Sequence, residues 1–389
     1  MKMIIDGKAV DSSDGKVLNV LNPATGEVID TVPLATEDDV NKAVSCAKEA
    51  QKIWAKVPVY EKVEILKKFI NLVLENKEDL ARTLSNETGK PIKEARAEIA
   101  NIPIAFDAFS EKAKHLYGTV VPAGLEAGQD KNILFTQMEP IGVVACVIPF
   151  NFPCDLYDQK VAPALLAGNA AIVKPSTDNP LTLCKLTELM VKAGVTPGAI
   201  QIITGRGSSV GSWLCSNPDV HLVTLTGSTE VGIETAKACA DNLTHVALEL
   251  GGNDAFIVLE DADIDLATDE LLWGRMYNTG QVCCASKRFL VHKNVASEFS
   301  KKAVEKISAI KAGMPSDEDS ELGCLISERA AIKVEDQVNL TVSQGGKVIL
   351  GGNRNGAFYD PTVIIDVPKT ADVAIDMEIF GPVVPIITF

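Results

Sequence analysis

The sequence predicts an α/β fold: a doubly wound parallel sheet followed by a second α/β unit. Three observations carry this expectation. Continuous apolar runs such as "GVVACVIPF" alternate with amphipathic helical stretches, as strands buried on both faces and their covering helices do. The alternation runs through five strand-like segments between Ile141 and Gly252 and starts again at Asn253. A chain of 389 residues exceeds one ordinary hydrophobic core, so two or more domains are expected.

Taken in order, "MKMIIDGKAV" reads as a short strand and a turn. Thr36 to Lys56 reads as a helix. Thr36 with Asp39 makes a capping-box start, and Val40, Ala43, Val44, Ala47, Ala50, Ile53 and Trp54 share one face. Helices follow over Val59–Asn76, which Pro58 introduces, and over Ile92–Lys114. Residues 119–140 change character. Gly, Pro and Asp punctuate two short strand-like runs, which suggests a hairpin arm or a bridge between domains. From Ile141 the strands are "GVVACVIPF", "AAIVK", "AIQIITG", "HLVTLTG" and "HVALELGG". Between them lie helices around Cys154–Leu166, Leu181–Ala193, Ser209–Cys215 and Thr229–Ala240. The second series is "DAFIVLED", a helix over Leu266–Tyr277, "RFLVHKN" and a helix over Val295–Ala312. No internal repeat or low-complexity tract interrupts the chain.

Composition narrows the function. Hydrophobic residues make up 46% and charged residues 23%, the balance of a soluble globular protein. A net charge of −15 leaves no basic face to neutralise phosphates, so nucleic acid is not an expected partner. No apolar run reaches the roughly 18 residues of a membrane span, and the N-terminus lacks a signal-peptide apolar core, so a cytoplasmic location is expected. The nine cysteines show no CxxC spacing and the four histidines no HExxH, so no metal site and no disulfide scaffold are expected.

Several strand ends carry residues with chemical potential, and in an open parallel sheet that edge is where ligands sit. In "LTGSTEVG", Gly227 and Gly232 flank a helix start whose free N–H groups suit a phosphate, or which is simply a tight turn. Lys174 ends "IVKPS", able to reach a ribose or phosphate, or to snorkel into solvent. Asn151 in "IPFNFP" could donate to an oxyanion, or serve the turn alone. Glu249 ends the apolar strand of "LELGGN". Desolvation there would raise its pKa and suit it as a base, unless the strand end is exposed. Gly251 and Gly252 permit close backbone approach. "YNTGQVCCASKR" supplies adjacent thiols, Cys283 and Cys284, either core residues or a nucleophile with a neighbour. No histidine lies near the thiols or the acid in sequence, so a Cys-His protease has no support. Thiol, amide, carboxylate, lysine and phosphate turn together suggest covalent capture of a carbonyl, hydride removal and hydrolysis.

These residues resemble the aldehyde dehydrogenase superfamily over essentially the whole chain. "NPATGE", "ETGKP", "IPFNFP", "ALLAGNAAIVKPS", "LTGSTEVG", "LELGGND", "NTGQVCCASKR" and "EIFGPVVPI" stand in the family's order. The resemblance implies a Rossmann-like dinucleotide-binding domain from residues 1–118 and 141–252, a bridging and oligomerisation hairpin at 119–140, and a catalytic domain at 253–389. It implies that Cys283 is the nucleophile, Asn151 the oxyanion donor and Glu249 the base that activates water. For the cofactor, NAD or NADP, it implies Lys174, Ser176, Thr177, Ile148, Phe150, Gly207, Gly227, Ser228, Val231, Gly232, Leu250, Gly251, Glu378 and Phe380. Asn101, Phe152, Asp155, Leu156, Gln159, Tyr277, Val282 and Cys284 are expected to line the aldehyde pocket. Thr177 stands where many NAD-preferring relatives carry Glu, so NADP is expected to be accepted. The pocket is more polar than the aromatic funnels of relatives that take long apolar aldehydes. A short hydroxyaldehyde or semialdehyde is therefore expected.

Family chains usually continue past the position of Phe389, so an incomplete catalytic domain is expected here, with homodimers or homotetramers expected of the full-length form. Two alternatives remain open: a coenzyme A-acylating relative, which Glu249 disfavours, and a catalytically dead nucleotide-binding fragment.

Overall fold

The computed structural model describes residues 1–389. The chain opens with strands β1 (Met3–Ile5), β2 (Lys8–Val10), β3 (Val17–Leu21) and β4 (Val28–Pro33), then helices α1 (Glu37–Trp54), α2 (Val59–Glu75), α3 (Lys77–Thr88) and α4 (Ile92–Ala113). After the hairpin strands β5 (Val120–Val121) and β6 (Leu134–Phe135) come β7 (Val143–Val147), α5 (Pro153–Leu166), β8 (Ala170–Lys174), α6 (Leu181–Ala193), β9 (Ile200–Ile202), α7 (Ser212–Ser216), β10 (Leu222–Thr226), α8 (Thr229–Ala240) and β11 (His245–Glu249). The remainder is β12 (Asp254–Val258), α9 (Ile264–Met276), β13 (Ser286–Val291), α10 (Ala296–Ser308), α11 (Glu328–Ser343), β14 (Lys347–Leu350), β15 (Arg354–Asn355), β16 (Phe358–Tyr359), β17 (Thr362–Ile365), α12 (Asp372–Ile375) and β18 (Val383–Thr388).

The first large sheet has seven strands in the order β11-β10-β7-β8-β9-β1-β2. The five strands read from the sequence are its parallel part, and β1 and β2 extend it antiparallel. Alternate residues of β7 enter different cores: Val144 and Cys146 pack with α2, α4, α5 and α6, while Val143 and Ala145 pack with α1, α7 and α8. The chain winds from β7 through β8 to β9, then crosses back so that β10 lies on the other side of β7. That reversal opens a crevice beyond the carboxyl ends of β7 and β10, where ligands of such sheets bind. The second sheet, β12-β13-β18-β17-β14, is parallel except for β14.

The helix start at Thr36 is as read: Thr36 and Asp39 cap each other's backbone. Helix α3 was absent from the sequence reading because its inner face is partly polar: Ser85, Glu87 and Thr88 are buried beside Leu80, Ala81 and Leu84. Glu87 explains this pattern. Its carboxylate accepts from the N–H groups of Leu181 (2.7 Å) and Thr182 (2.9 Å), so it caps α6, which Pro180 leaves without a side-chain cap of its own. The β3–β4 ribbon also went unread. Residues 119–140 form the expected hairpin, with Val120, Leu125, Ile133, Leu134, Phe135 and Met138 turned outward.

One physical expectation is corrected. Glu249 is exposed, not desolvated: β11 is the edge strand of the sheet, and His245, Val246 and Ala247 on it are exposed too.

Candidate active site

Two loops and one turn converge beyond the β7 and β10 ends. The first loop carries Asn151 from β7 to Pro153, the first residue of α5. Asn151 is buried, and its backbone carbonyl accepts from Lys90 Nζ (2.9 Å) and Asn278 Nδ2 (2.9 Å). Lys90 is itself paired with fully buried Glu98 and lies 4.3 Å from the centre of the Phe152 ring. Glu98 in turn accepts from the N–H of Cys154 at 2.8 Å. The "ETGKP" lysine thus braces the "IPFNFP" loop. The Asn151 amide donates one N–H to Gln281 O at 3.1 Å, and its second N–H makes no bond within the protein.

The thiols sit on the turn between α9 and β13. Asn278, Thr279 and Gly280 have φ of 50°, 56° and 74°, three successive residues in left-handed conformation. Side chains fix them there: Glu94 accepts from Asn278 N (2.9 Å), and Gln281 Oε1 accepts from Ile326 N (2.9 Å). Cys283 is half-buried and Cys284 exposed. Cys283 lies on no helix N-terminus. Burial pushes its thiol above the ordinary value, the Cys284 thiol adds to this, and Lys287 acts in the opposite sense.

Two buried cations that sequence reasoning missed hold the far side of the site. Lys287, whose side chain is completely buried, donates to the Cys283 carbonyl and pairs with Glu378 at 2.9 Å. Arg275, also buried, donates to the carbonyls of Ile379 (2.7 Å) and Val383 (2.6 Å) and so fixes the segment that carries Glu378 and Phe380. Gln337 adds a bond to Glu378 O at 2.8 Å. A signal for Lys287 existed: it alternates with Phe289 and Val291 on the buried face of β13, an unusual place for a lysine.

Two cavities meet at the thiol. One, of about 500 Å³, has Phe150, Gly227, Ser228, Leu250, Gly251, Glu378 and Phe380 in its wall, all anticipated for the cofactor. Asp178, Arg329 and Lys333 join them and were not anticipated. The other, of about 650 Å³, is walled by Phe152, Asp155, Leu156, Gln159, Tyr277, Val282 and Cys284, as anticipated for the aldehyde, and by Lys160, Thr224, Glu249 and Trp273. Asn151, Thr226, Leu250 and Cys283 belong to both walls. The aldehyde cavity is less uniformly polar than expected, since Phe152 stacks on Tyr277 (5.7 Å) and Trp273 packs on Tyr277 (4.6 Å).

The other anticipated residues lie outside these walls. Asn101 is exposed on α4 and stands outside both cavity walls. Lys174 is buried at the end of β8, its Nζ donating to Pro175 O (2.8 Å), and burial lowers its pKa to about 8. It does not snorkel. Thr177 donates to Gly205 O at 3.3 Å, Ile148 N bonds Lys174 O, and Ser176 and Gly207 stand in the adjoining loops. Val231 is bound by the Ser228 hydroxyl that caps α8, and a Cβ at Gly232 would press to 2.6 Å from Leu250.

The smaller cavity fits a nicotinamide dinucleotide on its own features. Thr226 Oγ1 is buried in its wall without a partner. A Cβ at Gly251 would strike the Glu378 carboxylate, so only glycine leaves that wall open. The capped start of α8 and the cations Arg329 and Lys333 suit phosphate, and Phe150 meets Phe380 edge-on at 5.9 Å.

Comparison with known proteins agrees. The sequence profile described as "Aldehyde dehydrogenase family" matches residues 9–389. The chain is 36% identical over 389 residues to the NADP+-dependent succinate-semialdehyde dehydrogenase GabD of Escherichia coli, covering 99% of this chain and 80% of the relative. It is 38% identical over 392 residues to D-glyceraldehyde dehydrogenase (NADP+) of Picrophilus torridus, covering 99% and 78%. The fold superposes on the crystal structure of an E. coli NADP-dependent enzyme with a TM-score of 0.96 at 36% identity, covering 100% of this chain and 80% of that one. No helix is long and apolar enough to cross a membrane. The chain belongs to the aldehyde dehydrogenase family.

Proposed function

We propose that the two cavities are the cofactor and aldehyde halves of one active site, and that the chain oxidises a short polar aldehyde to its acid through a thioester on Cys283. The observation that carries this reading is the position of Cys283 in both walls, while Cys284 stands in the aldehyde wall alone.

Burial keeps the resting thiol protonated, and Glu249, in the same cavity wall, is the carboxylate available to take its proton. The Cys283 thiolate attacks the aldehyde carbonyl carbon. The free N–H of the Asn151 amide and the Cys283 backbone N–H donate to the oxygen as it gains charge. Phe150, Gly227, Ser228, Gly251, Glu378 and Phe380 would hold NAD or NADP, with Lys174 and Thr177 reading the ribose. When bound, the dinucleotide supplies the hydride acceptor that turns the thiohemiacetal into a thioester. Glu249, exposed at the strand end, passes that first proton to solvent and then takes a proton from water, whose oxygen attacks the thioester carbonyl; the acid leaves and the sulfur takes the proton back from Glu249 as the thiol re-forms. An exposed Glu249 has the solvent access this step needs. Thr177 presents a hydroxyl where a carboxylate would repel a 2′-phosphate, so NADP is accepted.

Relatives are named for succinate semialdehyde and for D-glyceraldehyde, which supports a short, polar aldehyde as the substrate here. The outward apolar side chains of residues 119–140 suit self-association into dimers or tetramers of a cytoplasmic enzyme. The test is Glu249→Gln. The variant should release about one equivalent of reduced cofactor per site, more slowly than the unaltered chain because the thiol has lost its base, and then stop. Full steady-state turnover by Glu249→Gln with coenzyme A, but not without it, would replace hydrolysis by acyl transfer.

A further inference from the structure

Five of the seven arginines are engaged within the protein. Arg82, Arg96 and Arg354 form ion pairs, and Arg275 and Arg288 donate to backbone carbonyls. Arg329 and Arg206 have no such partner. Arg329 stands in the wall of the cofactor cavity. Arg206 is exposed and unpaired in a chain of net charge −15, where carboxylates are plentiful. Its place in the fold is specific. Strands β8 and β9 run parallel as neighbours. Lys174 ends the first and Arg206 follows the second, so both stand on the carboxyl edge of the sheet. The Thr177 hydroxyl donates to the carbonyl of Gly205, the residue before Arg206, at 3.3 Å. Beyond Arg206 the backbone is open: a Cβ added at Gly207 or Gly211 would meet nothing within 4 Å.

We propose, on the reading that Lys174 and Thr177 stand at the adenosine ribose, that Arg206 sets the cofactor preference: its guanidinium binds the 2′-phosphate that distinguishes NADP from NAD, and the chain prefers NADP. The neighbouring groups do not supply enough positive charge by themselves. Buried Lys174 is answered by the Asp178 carboxylate, which is exposed in the cofactor wall. The Thr177 hydroxyl spends its hydrogen on Gly205 O, and the Ser176 hydroxyl accepts from Asp178 N at 3.3 Å. A 2′-phosphate there meets one cation and one carboxylate, so it needs a second cation. Arg206 brings a planar fork that matches two phosphate oxygens at once, and it has no carboxylate to leave. The 2′-hydroxyl of NAD carries no charge and gains far less from a guanidinium. Because Arg206 is exposed, salt screens the attraction.

The test is calorimetric titration of the full chain with NADP, NAD, 2′,5′-ADP and 5′-AMP, in the unaltered form, in Arg206→Gln and in Arg206→Lys. The unaltered chain should bind NADP about tenfold or more tighter than NAD, and 2′,5′-ADP tighter than 5′-AMP by a similar factor. Arg206→Gln should shrink both ratios by about tenfold, with the loss falling on the phosphorylated ligands, and Arg206→Lys should keep part of the preference. Added salt should weaken NADP binding more in the unaltered chain than in Arg206→Gln. Arg206 is exposed and unbonded, so its replacement disturbs no packing. NAD bound as tightly as NADP by the unaltered chain, or an undiminished ratio in Arg206→Gln, overturns the proposal while NAD binding upholds the cofactor site. Binding of neither dinucleotide overturns both.

Discussion

Gly280→Ala tests whether the cysteine turn and the Glu378 segment are fitted to each other. Gly280 has φ of +74°, and a Cβ added there would land on the Gly381 carbonyl and 2.8 Å from Pro382 N. Two costs follow. Placing alanine in left-handed backbone costs roughly 1–2 kcal/mol. Forcing a methyl group against packed backbone costs a further 1–3 kcal/mol or so. The second cost cannot relax cheaply, because Arg275 holds the carbonyls on either side, at Ile379 and Val383. The expected loss is therefore about 2–5 kcal/mol of folding stability. Gly26→Ala isolates the first cost, since Gly26 has the same φ of +74° with nothing within 4 Å of the added Cβ. The assay is urea unfolding of both variants beside steady-state kinetics. Gly280→Ala should lose about 1–3 kcal/mol more than Gly26→Ala, and it alone should raise the cofactor KM and lower kcat. Equal stability losses in the two variants, or unaltered kinetics in Gly280→Ala, would refute the reasoning.

Three further outcomes are expected. Cys283→Ser should abolish turnover, whereas Cys284→Ala should chiefly shift the aldehyde KM; an inactive Cys284→Ala that still folds would move the nucleophile by one residue. Lys174 in the free enzyme should be charged below about pH 8 and neutral above it, because burial favours the uncharged amine; the cofactor KM should then climb above pH 8 in the unaltered chain and not in Lys174→Met, and parallel profiles would contradict this. Asp158 is buried with both carboxyl oxygens unpartnered, and burial together with Asp155 raises it to about 9. Its folded value lies above its unfolded value, so between about pH 4 and 9 the folded chain keeps a proton the unfolded chain releases, and stability falls as pH rises through that window. Asp158→Asn should stabilise by about 2–4 kcal/mol at pH 8 and hardly at all at pH 4, read by thermal melting; a gain independent of pH would count against the buried acid as its source.

The parallel strands of the first sheet were legible because each is a short apolar run closed by Gly, Pro or Asn. The wall residues from Phe152 to Gln159 were legible because they follow a fixed loop into α5. What escaped notice has a common physical cause. Helix α3 hides behind buried polar residues, among them Glu87, whose partners lie about a hundred positions away at the start of α6. Arg329 and Lys333 reach the cofactor cavity from α11, and nothing in the local pattern of that helix points to a ligand. The exposure of Glu249 depends on β11 being an edge strand, a property of strand order, while its apolar neighbours in sequence argue for burial.

The three left-handed residues before the cysteines make this turn a loaded spring. Asn278 and Thr279 lack the freedom of glycine, and each costs roughly 1–2 kcal/mol in that conformation. The latches are few: the Glu94 carboxylate, the Asn278 and Gln281 amides and the Lys287 ammonium. Since Glu94 is raised to about 7 by burial, its hold on Asn278 weakens on mild acidification. The turn should therefore let go before the sheets do, so that mild urea or low pH silences the thiol while the helices and strands remain intact.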